Sequence, residues 1–114
     1  MKRVYICAKF SKARWNREKY ENLARIYCRM AWDKGFCPIA PRLYLTQFLD
    51  DENKAEREIM TKTSVAEIKN CAELWVFGET IKNRQRVEIE EAERLKIPVK
   101  YFNQYGEAIE KPAI

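Results

Sequence analysis

The chain contains no histidine, and that absence removes the Ser-His-Asp and Cys-His triads together with the HExxH metal sites. Any chemistry has to rest on carboxylates, tyrosine, lysine, arginine or cysteine. Glycine is scarce, at three residues, and there is neither a Walker A sequence nor a GxGxxG. A P-loop and a dinucleotide-binding protein of the usual kind are thereby excluded. No apolar run approaches the roughly 20 residues of a membrane span, and no signal peptide is read at the start. Met1, Lys2 and Arg3 lead straight into a strand, so a cytoplasmic location and no membrane partner are expected. Cys7, Cys28, Cys37 and Cys71 show no CxxC pairing. In a reduced compartment they read as small core hydrophobes. A four-cysteine zinc site is the alternative, which the irregular spacing disfavours. No metal and no cofactor are expected.

What is present bounds the fold. A chain of 114 residues supports one domain, spanning residues 1–114, and 46% hydrophobic with 34% charged residues is globular composition. The formal charge of +5 suits an anionic partner, nucleic acid or a phosphorylated small molecule. The signs alternate along the helical stretches, however, as a solvated face would, and nucleic acid is not the favoured partner.

Residues 3–8 read as a short strand apolar on both faces, as a central parallel strand should be. A helix follows over about 15–33, with Tyr20, Leu23, Ala24, Tyr27, Met30 and Ala31 at core spacing and Gly35 as its stop. Residues 36–40 read as a second strand closed by Pro41, and 43–49 as a short helix. Ser64 and Glu67 match a capping box, which divides the next stretch into helices of about 53–62 and 65–71. A third strand at 73–77, a helix over about 83–96, a fourth strand at 98–102 and a turn at 104–107 complete the pattern, with a tail that could pair on the sheet edge. Strands alternating with helices argue a three-layer α/β sandwich, flavodoxin-like, with a mainly parallel sheet and helices on both faces.

In such a sheet the loops after the first three strands converge on one edge. The first loop supplies Lys9, Phe10, Ser11 and Lys12, and the second Arg42 and Tyr44. The third supplies Gly78, Glu79, Thr80, Asn83 and Arg84, with Glu88 one turn into the helix. Cations beside aromatic rings suit a nucleotide, whose phosphate takes Arg or Lys and whose base takes a π-face. Gln85, Glu88, Ile89 and Ala92 share one helical face, so Glu88 borders the buried stripe and needs a partner.

Seven segments in order carry a family resemblance. They are Val4 to Cys7, Tyr27 to Ala31, Pro38 to Tyr44, Thr46 to Asp51, Glu73 to Gly78, Glu88-Ile89 and Pro98 to Phe102. Together they resemble the small bacterial and phage proteins related to nucleoside 2-deoxyribosyltransferases, over nearly the whole chain. In those transferases a glutamate attacks the anomeric carbon and forms a glycosyl-enzyme, and Glu88 occupies the matching position. The resemblance implies an ionised carboxylate near C1′ and an oxocarbenium-like transition state, with Phe10 as the aromatic that packs on the ligand. It also implies a homodimer or higher homo-oligomer, for which Trp15, Trp32, Tyr44 and Phe48 are candidate contacts.

The departures are as informative. The family's Cys-Asp before the third strand is Cys71-Ala72 here, and its Gly-Met ahead of the glutamate is Arg84-Gln85. The loop after the first strand has lost its glycine, which lets a ligand approach the backbone closely. The reading that follows is a protein that binds a nucleotide-derived, phosphorylated small molecule, in a sequestering or sensing role, with weak or no catalysis. The alternatives are an active deoxyribosyltransferase or nucleotide N-glycoside hydrolase with Glu88 as nucleophile, and a nucleic-acid or protein interaction module. Candidate ligand contacts are Lys9, Phe10, Ser11, Arg42, Tyr44, Gly78, Asn83 and Arg84.

Overall fold

A computed structural model describes residues 1–11 and 13–113; Lys12 lies outside them. The elements in order are β1 (Arg3–Cys7), α1 (Arg14–Asp33), β2 (Cys37–Ile39), α2 (Pro41–Leu45), α3 (Lys54–Glu67), a 3-10 turn (Ile68–Asn70), β3 (Glu73–Phe77), α4 (Asn83–Arg94), β4 (Val99–Phe102) and β5 (Ala108–Ile109). The sheet order is β2-β1-β3-β4-β5. Its first four strands are parallel and β5 is antiparallel on the edge, so the expected flavodoxin-like α/β fold is the one observed and the tail does pair there.

The period of two along each strand divides the core into two layers. Val4, Ile6, Trp75, Phe77 and Phe102 face α1, which presents Ala24, Tyr27 and Ala31 to them. Tyr5, Cys7, Leu74 and Val76 face the other way, towards Ile68 and towards Ile89 and Ala92 of α4. On the α1 side the rings stack: Tyr27 lies on Phe77 at 4.1 Å and Phe77 on Phe102 at 5.1 Å between centroids. Gly106, with φ of +82°, closes the β4–β5 turn so tightly on α1 that a Cβ there would lie 1.8 Å from the Met30 methyl carbon.

Two expected boundaries are overturned. The short helix expected over 43–49 is α2, which starts at Pro41 and ends at Leu45, proline standing in its first turn where no N–H is needed. The chain does not break at Ser64; α3 runs unbroken through it. Met60, Ser64 and Ile68 recur every fourth residue, each with no exposed surface, so packing holds one straight element where the local pattern suggested two. The cap lies earlier, where the Asn53 side chain accepts the Glu56 N–H at 3.1 Å and Glu56 accepts the Asp50 N–H at 2.8 Å. Ser64 instead carries a buried hydroxyl with no partner among the described residues.

Candidate functional site

In this strand order β1 and β3 are neighbours whose following helices pass to opposite faces, and a crevice opens at their C-terminal ends. Two cavities lie there, of about 480 and 240 Å³.

The larger has Glu88 on its wall. Placed one turn into α4 on the inward stripe, Glu88 is 8% exposed. The Tyr5 hydroxyl donates to its Oε2 at 2.5 Å, and the buried Cys7 thiol lies nearby, donating to the Gln85 carbonyl at 3.7 Å. Burial pushes the carboxyl up to about 7; the bond from Tyr5, the neighbouring Cys7 thiol and the charges of Arg42 and Arg84 oppose that rise without cancelling it. The same environment raises Tyr5 well above the ordinary phenol value, through burial first and the Glu88 charge second. Glu88 therefore titrates close to neutrality with its Tyr5 donor held protonated.

Gln85, one turn earlier on the same stripe, has a different task. Its amide donates to the carbonyls of Cys7 at 3.2 Å and Phe77 at 3.0 Å, while its oxygen accepts the Lys82 N–H at 3.0 Å. One side chain thus joins the ends of β1 and β3 to the start of α4. The methionine of the resembling family could make none of these three bonds.

A buried charge network forms the second wall. Asp51, 2% exposed, receives both terminal nitrogens of Arg84 at 3.1 Å, a forked pairing. Arg42 reaches the same carboxylate at 3.5 Å and Thr61 Oγ1 at 2.9 Å, and Arg57 bonds the Asp51 carbonyl at 3.2 Å. Three guanidiniums thus converge on Asp51, two on its carboxylate and one on its backbone carbonyl, so the wall keeps a positive excess. Burial first, then the Arg84 charge, lowers the Arg42 pKa.

The structure brings Lys9, Phe10, Ser11, Arg42, Asn83, Arg84 and Glu88 to the larger cavity. Phe10 also packs on the α1-side core, and Ser11 Oγ accepts the Ala13 N–H at 3.1 Å. Gly78 lines the smaller cavity instead, where Lys9 also appears. Tyr44 lines neither. On the short α2 it is Arg42 and Leu45 that turn inward, which leaves Tyr44 65% exposed with its edge against Phe48.

Sequence reasoning missed Tyr5, Asn16, Asp51 and Arg57. Tyr5 sits inside an apolar strand where its hydroxyl leaves no trace in the pattern. Asp51 stands between Asp50 and Glu52 just ahead of α3, where acids favour a helix start, and nothing in that local pattern marks an interior carboxylate. Asn16 lines the larger cavity, and its Oδ1 is buried with no hydrogen-bond partner among the described residues. Among those residues no cluster of His, Cys, Asp or Glu could hold a metal ion, and no helix is long and apolar enough to cross a membrane. All four cysteines are free thiols.

Comparison with known proteins agrees with the fold. The solved structure of a 2-deoxyribosyltransferase from the psychrotolerant bacterium Bacillus psychrosaccharolyticus, a biocatalyst for nucleoside synthesis, superposes with a TM-score of 0.67 at 19% identity. The match covers 94% of this chain and 76% of that one, so the two share a fold. No curated protein sequence matches significantly. The chain belongs to the DUF7768 family, a domain of unknown function, whose model matches residues 2–102.

Proposed function

We propose that this DUF7768 protein binds a nucleoside-derived small molecule carrying phosphate in the larger cavity, with weak or no catalysis, in a sequestering or sensing role. One observation carries the reading. The cavity of about 480 Å³ is walled by Lys9, Arg42, Arg57, Lys82 and Arg84 against the single carboxylate of Glu88. That volume suits a nucleotide-sized ligand, and the cationic excess favours an anion. Phe10 offers a ring to a base. The unpartnered Asn16 Oδ1 supplies an acceptor for a ligand N–H or O–H, since a buried acceptor left bare costs about 1–3 kcal/mol.

Weak catalysis is read from what surrounds Glu88: Ala72, Arg84 and Gln85 stand where the resembling transferases carry Asp, Gly and Met, and Gln85 is committed to three structural hydrogen bonds. The other interior carboxylate, Asp51, is held by Arg42 and Arg84.

The enzymatic reading keeps one supporting observation, the Tyr5 hydrogen bond that orients the Glu88 carboxylate. In that reaction Glu88 Oε attacks C1′, the C1′–N bond breaks, the base leaves and takes a proton from water, and water or a second base then resolves the ester. Exposed Trp15 and Phe48 support a homodimer, which sedimentation tests.

The deciding experiment incubates purified protein with nucleosides and their 5′-phosphates and scores retained ligand and free base by chromatography. Retention of an intact phosphorylated ligand, at least tenfold tighter than its bare nucleoside, is the expected result. Equal affinity for both would remove the phosphate from the proposal. Base release that disappears in Glu88→Gln would establish the enzyme instead.

A further inference from the structure

The two cavities are not separate features. Lys9 and Tyr20 line both, as a shared partition at the end of β1. Lys82 stands on the larger side of that partition and Lys19 on the smaller. None of the three lysines forms an ion pair with a carboxylate among the described residues. This contrasts with Arg42 and Arg84, already engaged by Asp51. Gly78, with φ of +109°, adjoins Lys9 at the partition, where a Cβ would make ordinary contact with Lys9 Cε at 3.7 Å.

Beyond the partition the character changes. The smaller cavity is walled by Tyr20, Tyr27 and Phe77, with Leu23 beside them, and closed by Gly78, Glu79 and Thr80. Tyr27 and Phe77 are buried and stacked on each other. The surface it presents therefore comes from the partly exposed Tyr20 and Leu23 with one carboxylate, Glu79, which suits a flat ring bearing hydroxyl groups. At about 240 Å³ it has room for one base but not for a second complete nucleotide.

The geometry points to a two-headed ligand: two nucleoside-like groups joined by a phosphate or diphosphate bridge, the bridge lying on Lys9, Lys19 and Lys82, one head beside Glu88 and the other against Tyr20 and Leu23. Lys19 Nζ lies 5.7 Å from the Tyr20 ring centroid, and ammonium groups without carboxylate partners along one wall repel one another and are relieved by an intervening anion. Lys9 registers that crowding: its pKa is lowered by desolvation first and then by the charges of Lys82 and Lys19. The partition is thus where a polyanion contributes most, and the flanking cavities accept what it joins. The inference rests on the larger cavity being a nucleotide site, and names the ligand class for it.

The test is calorimetry with the ribo- and deoxyribonucleoside 5′-monophosphates against the matching symmetric dinucleoside diphosphates. At least one dinucleotide should bind tenfold or more tightly than its mononucleotide. Thr80→Tyr adds a ring to an exposed loop position on the smaller cavity alone. It should return the dinucleotide to the mononucleotide's affinity and leave the mononucleotide unchanged. Lys19→Ala should lower dinucleotide binding at least fivefold. Mononucleotides that bind as tightly as dinucleotides would overturn the two-headed ligand while leaving the nucleotide site standing. So would a Thr80→Tyr protein that loses both ligands equally. Failure of every probe to bind would overturn both readings.

Discussion

The two faces of the sheet are built from the same strands and have opposite chemistry. Every buried polar or charged side chain among the described residues (Arg42, Asp51, Ser64, Gln85 and Glu88) lies on α2, α3, α4 or the segment joining α2 to α3. The face against α1 is closed by stacked rings and small alanines. Dispersion and area burial hold that side and tolerate approximate fit. The other side is held by paired charges and shared protons, where each group depends on its partner. Alternating residues of β1 serve each purpose: Val4 and Ile6 for packing, Tyr5 and Cys7 for Glu88. The ring face anchors the fold, and the polar face surrounds the cavity.

Four changes test that contrast, beginning with the largest expected effect. Asp51→Ala leaves two arginines without their shared carboxylate and should lose about 3–5 kcal/mol of stability in urea unfolding. A loss under 1 kcal/mol would mean that the polar face is not held by its charges. Next comes the titration of Glu88. Its folded pKa of about 7 lies above the ordinary 4.5, so the folded state binds the extra proton and stability falls as pH rises between those values. Glu88→Gln should therefore gain about 3 kcal/mol above pH 7 and nothing below about pH 4.5, read as thermal midpoints across pH. A gain independent of pH would contradict the buried carboxyl. On the ring face, Phe102→Leu should cost roughly 1–2 kcal/mol, with ligand retention unaltered; lost retention would blur the division between the faces. The smallest effect belongs to Trp15, 87% exposed. Trp15→Ser should shift stability by less than about 0.5 kcal/mol, and a larger change that grows with protein concentration would reveal a second copy covering it.

The division was partly legible in the sequence because period reports direction. The spacing of Gln85, Glu88, Ile89 and Ala92 placed the carboxylate on the inward stripe of α4, and the run from Tyr20 to Ala31 gave α1 its packing side. Reading failed where one signal had two physical sources. Ser64 and Glu67 have the spacing of a helix start, yet the fourfold recurrence of Met60, Ser64 and Ile68 decides in favour of continuation. Asp51 is acidic near a helix start, as the macrodipole favours, but its partner Arg84 lies 33 positions away. Arg42 looked like a free cation for the same reason: no local pattern announces a partner brought in by the fold. Tyr44 was assigned to the cavity from loop membership alone, and a five-residue helix turned it outward.

Gln85 has a consequence for how fast the cavity fills. Its three bonds fix the strand ends and the α4 start before any ligand arrives, so the floor has no rearrangement to complete on encounter. Association should then be a single exponential step, linear in ligand concentration, with a rate set by the field of the surrounding cations. Added salt should slow arrival, while departure continues at nearly its original pace.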